Sequence, residues 1–442
     1  MIKPLLKALF GCFLLVASSQ SILYAQQLLT IDDAVFIGLE NNYGIQISRN
    51  VAEQAGNNYS YGLYNFLPSV SLSTARSEQV SDSEFIAGGE ARSTSGARSS
   101  NTNAAVNLSW TLFDGFRMFA AYDQLGMLRD ISDQELRLNM ELLVANISFA
   151  YYNIIRINEQ LKILENNLDV SQERIEIEET KVDLGSGSEY DLLQARTDLN
   201  ADRAAYIRER NRLSEAKIYL NELLARQPDT AFGITDEINV NRDLAREELY
   251  HKIITENTEL ALARMQKDLT GLEVRQIRGE RYPEISLTSG YSFNRSENDG
   301  GFIRFNETTG FSVGISARVA IFDGANITRR IQNARINHRN AELSIEMQKL
   351  RLESDFEAVY RAYLNAIELV DLEEENFSIA EETLDIALER FRLGSISSLE
   401  FREAQRTFLQ AENRLINTKY DAKVAETELL QLSGELRMLF IN

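Results

Sequence analysis

The side chains with chemistry to offer in this 442-residue chain are mostly carboxylates: 66 Asp and Glu stand against 46 Lys and Arg, with two histidines and one cysteine. Carboxylates do metal or proton-transfer work when a histidine, a thiol or a differently placed acid completes the set. His251 and His338 have no cysteine or acidic partner at metal-ligand spacing, and both are expected at the surface. The run Glu373, Glu374, Glu375 sits in a charge-rich helical pattern, where a solvated face accounts for it. The chain has no phosphate loop or dinucleotide fingerprint. The expectation is therefore no enzyme, no metal and no cofactor. A formal charge of −20 also excludes a basic nucleic-acid groove, and near a pore it would favour cations.

Two aspartates are marked by context rather than by partners. Asp114 and Asp323, 209 positions apart, both lie in F-D-G, in LFDGF and IFDGA. Each F-D-G ends an alternating apolar and polar run and precedes a long helical pattern. An aspartate there can cap the helix, while Gly115 and Gly324 permit a backbone bend that a side chain would obstruct.

Stepping outward from these corners, each half of the chain follows one plan: helix, proline, two strands, F-D-G, a very long helix, an L-G-S turn and a heptad helix. The first helix opens at Thr30, with Asp33 completing a capping signal, and is expected to run to about Tyr64; its counterpart runs from about Asp243 to Arg281. Pro68 and Pro283 mark the change from helix to strand. Val106, Leu108, Trp110 and Leu112 alternate with Asn107, Ser109 and Thr111, and Phe311, Val313, Ile315 and Val319 repeat the pattern. Four strands of ~9 to 11 residues would suit a tilted membrane crossing. An ordinary sheet with one wet face would show the same alternation. The polar stretches Glu78 to Asn103 and Arg295 to Thr309 are expected to be loops at the strand tips.

From each F-D-G the helical pattern runs to Gly185 or Gly394, which at 1.5 Å per residue is on the order of 100 Å. The turns LGSGS and LGSIS follow. Beyond them, Leu192, Leu199, Tyr206, Leu213 and Leu220 form a heptad track, and shifting by 209 gives Phe401, Phe408, Leu415, Ala422 and Leu429. The expected order is a secretory leader over 1–25, a first repeat over 26–225, a linker over 226–242, a second repeat over 243–434 and a tail over 435–442. Cys12 lies within the leader's apolar run; read as a lipid-attachment site, it would be an alternative to simple cleavage after Ala25. Removing Lys3 and Lys7 with the leader takes the formal charge from −20 to −22. Beyond the leader no stretch reaches the ~18 to 20 apolar residues of a spanning helix; Leu142 to Ile155 is expected to be a buried helix.

Four strands cannot close a membrane barrel, since single-chain bacterial barrels begin at about eight. An open edge in lipid leaves backbone groups unpaired at several kcal/mol each. Membrane strands would therefore have to be pooled, eight from two copies or twelve from three.

The leader, the duplicated strand and helix halves, the paired F-D-G corners and the L-G-S turns together resemble the TolC family of outer-membrane efflux and secretion channels. The resemblance covers nearly all of the chain after the leader. It implies a mainly α protein with membrane β: a homotrimer with a 12-stranded barrel in the lipid bilayer and an α-helical tunnel in the periplasm. A periplasmic adaptor (membrane fusion) protein and an inner-membrane transporter are its implied partners, and nucleic acid is not. The barrel-to-tunnel junction would fall at Asp114, Gly115, Asp323 and Gly324. Aligning RLGSISSLEFREAQ places Glu400 and Glu403 at the acidic periplasmic entrance, and LGSGSEYDLLQAR places Asp191 at the constriction; the adaptor would meet the turns at Gly185, Ser186, Gly394 and Ser395. Phe391 and Ile396 stand where the family has a tyrosine and an arginine at the gate. The rival from another class is a non-channel periplasmic coiled-coil scaffold or adaptor, although an adaptor should carry Gly/Val-rich β-domains that this chain lacks.

Overall fold

A computed structural model describes residues 27–300 and 303–436. The expected leader and the end of the tail lie outside the described residues.

The chain divides into two compact units. One comprises residues up to 45, 140–251 and from 355 onward; the other comprises 46–139 and 252–354. The elements, in order, are β1 (Gln27–Leu28), α1 (Ile31–Asn41), α2 (Tyr43–Gly62), a 3-10 turn (Leu63–Phe66), β2 (Ser69–Ala87) and β3 (Glu90–Phe113). Next come α3 (Arg117–Asp183), α4 (Glu189–Leu223), β4 (Phe232–Gly233), α5 (Arg246–Glu256) and α6 (Thr258–Gly279). The last four are β5 (Glu284–Asn298), β6 (Phe305–Arg318), α7 (Asn326–Arg392) and α8 (Ser398–Leu432). The duplication is exact in length where it is longest: α3 and α7 each have 67 residues, and α4 and α8 each have 35.

In the first unit the stretch Leu143 to Ile155 supplies much of the core, with Val144, Ile147, Tyr151 and Ile154 fully buried. No helix among the described residues is long and apolar enough to cross a membrane. Gly38 lets α1 lie close on α3, because a Cβ there would stand 2.3 Å from Ile147 Cδ1. A tyrosine on each long helix anchors the segment entering its half: Tyr151 Oη bonds Leu29 O at 2.8 Å, and Tyr360 Oη bonds Leu244 O at 3.3 Å. Tyr151 also meets the Asp236 carboxylate, and burial first, then that bond, raises its pKa. Asp236 belongs to the linker, whose Phe232 is buried and whose β4 pairs in parallel with β1.

The expected helix from Thr30 to Tyr64 is two helices. Thr30 opens α1 with a full capping box, its Oγ1 accepting from Asp33 N at 3.2 Å. Asn42 then breaks the helix at φ −59°, ψ 125°, and its Oδ1 accepts from Gly44 N at 2.8 Å to start α2. The second half breaks the same way at Asn257, φ −60°, ψ 125°, with Oδ1 accepting from Leu260 N at 2.9 Å. A short polar side chain that replaces the helix's own bonds lets the chain turn at little cost.

In the second unit one antiparallel sheet has the order β2-β3-β5-β6. Pro68 and Pro283 each stand one residue before a strand. The expected strand length is too short: the four strands have 19, 24, 15 and 14 residues. Most of Glu78 to Asn103 is a hairpin extension rather than a loop. It closes through Gly88 and Gly89 at φ 66° and 89°, the left-handed pair that a two-residue hairpin turn needs. Arg295 to Thr309 is likewise strand at both ends. Ladder bonds hold these polar ribbons, and with both faces wet they show no apolar period to read.

Candidate functional site

Each F-D-G turns strand into helix by the same bonds. Asp114 Oδ1 accepts from Met118 N at 3.2 Å, and Asp323 Oδ2 accepts from Ile327 N at 2.6 Å. The next two residues are left-handed in both halves: Gly115 and Phe116 at φ 73° and 66°, Gly324 and Ala325 at φ 68° and 62°. Gly115 is packed tight, since a Cβ there would lie 2.1 Å from Gly279 O. Arg117 ties the corner to β5 through Glu284 at 2.9 Å.

One face of the sheet is apolar across all four strands. Register places Leu72, Val106, Tyr291 and Phe311 in one row, every one of them exposed. The next row on that face is Val70, Leu108, Ser289 and Val313, with Ser289 its one polar member, and the row after it is Trp110, Leu287 and Ile315. Between them, on the other face, Ser71, Asn107, Gly290 and Ser312 form a small and polar row. A continuous apolar face left open in one chain is the signature of a surface made for lipid or a partner.

The first unit carries the two L-G-S turns. Each closes its long helix with paired bonds: Gly185 N to Val182 O at 2.9 Å and Ser186 N to Lys181 O at 2.9 Å, against Gly394 N to Phe391 O at 3.0 Å and Ser395 N to Arg390 O at 2.9 Å. Gly185 and Gly394 take φ 74° and 68°, the left-handed cap that glycine allows. All four turn residues are exposed. The turns differ afterwards. Ser397 and Glu400 form a capping box on α8, while Ser188 makes no side-chain cap on α4.

Asp191 and Glu400 occupy the same position in the two halves, 209 residues apart. Glu400 is committed to its cap: its carboxylate accepts from Ser397 N at 2.8 Å and Oγ at 2.9 Å, and these bonds, backbone first, lower its pKa. Exposed Glu403 accepts from Arg406 Nη2 at 2.8 and 2.7 Å. Asp191 is half-buried. Among the described residues no hydrogen bond or ion pair joins Asp191 to either glutamate. His251 is exposed as expected, but His338 is half-buried against α6, its Nδ1 3.0 Å from Thr270 Oγ1.

Sequence reasoning missed a buried network that joins the two helical hairpins near these turns. Arg174 of α3, only 3% exposed, donates to Asp198 of α4 at 2.7 Å and to Ser398 of α8 at 3.0 Å. Arg402 of α8 makes two bonds of 2.9 Å to Asp202 of α4, which also accepts from Ser171 of α3 at 2.7 Å. Gln405 extends the chain to Asn167 at 2.7 Å and Ser171 at 2.9 Å. Two arginines balance two aspartates, so the cluster is neutral and largely satisfied. The signal was a shared spacing of four then three: Asn167, Ser171, Arg174 on α3 and Ser398, Arg402, Gln405 on α8. Beside it Phe391 stacks on Phe401 with ring centroids 4.8 Å apart, and Lys181 Nζ lies 3.8 Å from the Phe391 ring centre. Arg392 reaches Glu173 at 2.8 Å. This arrangement has bolts and no nucleophile.

A duplicated chain with a lipid-type sheet face at one set of corners and bolted helical hairpins at the other turns defines a membrane channel subunit. The chain belongs to the outer membrane efflux protein family, whose model matches residues 39–226 and 249–435. It is an outer-membrane channel protein reaching into the periplasm, not an enzyme, and membership sets aside the scaffold alternative. It is 18% identical over 356 residues to outer membrane protein TolC of Escherichia coli, covering 78% of this chain and 72% of that one. It is 19% identical over 344 residues to the proteases secretion protein PrtF of Dickeya chrysanthemi, covering 76% and 73%. Among solved structures, the outer-membrane channel OprN superposes with a TM-score of 0.75 at 18% identity, over 92% of this chain and 90% of that one.

Proposed function

We propose that three copies of this chain form a 12-stranded barrel continued by an α-helical tunnel, the passive exit duct of a tripartite efflux or type I secretion system. The observation that carries this reading is the four-stranded sheet, apolar on one face and with β2 and β6 left as open edges. Four strands cannot close in lipid, and closure alone removes the unpaired edge groups. The repeats over 26–225 and 243–434, joined by the linker 226–242, give each copy two equivalent parts of that wall.

In this reading a periplasmic adaptor docks on the turns at Gly185, Ser186, Gly394 and Ser395, and an inner-membrane transporter supplies the cargo and the energy. Glu400 and Asp191 sit on the first turns of α8 and α4, and Glu403 on the second turn of α8. Repeated three times around one axis, their charge would attract cations at the entrance. The Arg174 and Arg402 network holds the hairpins together, so opening requires these bonds to break or shift. Efflux and secretion of polypeptides both suit this duct, as the names of two relatives, outer membrane efflux protein BepC and proteases secretion protein PrtF, illustrate.

The test is ion selectivity in planar bilayers. Replacing Glu400 and Glu403 together with alanine is expected to lower the cation preference severalfold. Unchanged selectivity would remove the proposed ring.

A further inference from the structure

A groove over α3, between α4 and α8 of the first unit, has a volume of about 570 Å³ and is lined by Asn153, Arg156, Gln160, Arg212, Tyr219 and Asn417 among others. That is room for a drug-sized molecule. On the same helix Asn158 and Lys162 share a separate cavity with linker residues 234–238. At about 100° per residue Arg156 and Asn158 lie roughly 200° apart around α3, so the groove opens on the face turned away from the linker.

Arg156 is held in this groove without a counter-charge. Its Nε and Nη2 donate to Asn153 Oδ1 at 3.2 and 2.7 Å, its Nη1 donates to Asn417 Oδ1 at 3.0 Å, and its Cζ lies 4.9 Å from the centre of the Tyr420 ring. Asn417 is itself fixed: its oxygen also accepts from Gln160 Nε2 at 3.2 Å, and its nitrogen donates to Asn413 O at 2.7 Å. Both partners of the guanidinium are thus neutral amides, and among the described residues no carboxylate forms an ion pair with it. A guanidinium has five N–H bonds, and these contacts leave one unused on each terminal nitrogen.

The acids of the groove are engaged elsewhere, Glu209 by Arg212 at 3.0 Å and Glu215 by Asn211 at 2.7 Å. Asp421 feels the Arg156 charge, but burial is the larger influence and raises its pKa. An arginine oriented by amides, and not neutralised by an acid, is a preformed fork for a planar anion. Because Arg156 is half-buried and already fixed, an incoming anion meets it at little ordering cost.

We propose that this groove binds organic carboxylates of drug size, the carboxylate on the unused N–H bonds of Arg156 and the apolar body against Tyr219, which is 51% exposed. The setting rests on the duct reading above. With the linker on the outside of the wall this face is the inner one, and the site acts on cargo already past the acidic entrance.

Calorimetric titration of 2-naphthoate into the detergent-extracted full-length protein tests the site, with 2-naphthamide as its uncharged twin. Naphthoate is expected to bind saturably, and both naphthamide on the wild type and naphthoate on Arg156→Gln at least about tenfold more weakly. Asn417→Asp keeps Arg156 and gives it the acid it lacks, so it should weaken naphthoate binding about as much, with Arg156→Lys in between. No binding of naphthoate, equal affinity for acid and amide, or unchanged affinity in Arg156→Gln or Asn417→Asp would overturn the proposal. A three-copy mass with conductance steps would leave the duct reading standing in that event. Naphthoate binding that follows these variants in a protein without conductance would instead overturn the duct and keep the site.

Discussion

Arg402 of α8 grips Asp202 of α4 through two parallel N–H···O bonds of 2.9 Å each, joining the second helical hairpin to the first. A planar guanidinium fork matched to a carboxylate cannot be reproduced by an ammonium. Arg402→Ala is expected to cost about 2 to 3 kcal/mol, because it leaves the Asp202 carboxylate without its cation and held by Ser171 alone, and Arg402→Lys about half of that. Thermal unfolding gives the order. The same variants should raise mean conductance in bilayers, with lysine between wild type and alanine; a destabilised protein with unaltered conductance would mean that the bond is structural only.

Glu403 is not a free charge in one chain, since Arg406 holds both of its carboxylate oxygens. If these residues line the entrance, Arg406→Ala should increase cation preference and Glu403→Ala should decrease it. Exposed ion pairs contribute little stability, about 0 to 1 kcal/mol, so folding should hardly change in either. Reversal potentials under a salt gradient read both signs; a shift in the same direction for both variants would contradict the placement.

Glu412 on α8 is half-buried, and burial first, then the charges of Glu381 and Glu159, raise its pKa to about 7. A carboxyl whose folded pKa exceeds its unfolded value favours the folded state below the unfolded pKa and loses that contribution as pH rises through the folded one. Stability should therefore fall by on the order of 1 kcal/mol between about pH 5 and 8, allowing for partial exposure. Glu412→Gln should flatten that slope in thermal melts taken across the range. A slope that persists in the variant would assign it to other groups.

The two corner glycines should respond differently to the same methyl group. Both have positive φ, so alanine costs about 1 kcal/mol or more at either. Gly115→Ala must also displace Gly279 O and should reduce the yield of folded protein outright. Gly324→Ala has room in one chain and should spare folding but lower the trimer fraction. Native gels with protease resistance as the folding readout separate these; full trimer yield from Gly324→Ala would count against a neighbouring copy at that corner.

Much of this fold was legible because its signals are periodic or stereochemical. Heptads placed α4 and α8 in register, and proline, glycine and aspartate marked both ends of the sheet. The outer strands were hidden because Glu78 to Asn103 has no dry face, and only the Gly88-Gly89 pair betrayed the turn. Asn42 and Asn257 were hidden inside good helical patterns, where one polar residue carries no periodic signal. The bolts were hidden for the opposite reason. Arg174, Asp198, Asp202 and Arg402 look like solvated helix charges until tertiary packing buries them together. Glu400 was visible as an acid at the turn, yet its bond to Ser397 gives it a second task as a helix cap.

The central claim is that this chain becomes a channel only by pooling strands with its own copies. Native mass spectrometry of the protein extracted from outer membranes in mild detergent tests it most directly. The account predicts a particle of three chains that opens discrete, cation-preferring conductance steps when reconstituted. A stable single chain that stays folded without detergent and leaves bilayers sealed would contradict it.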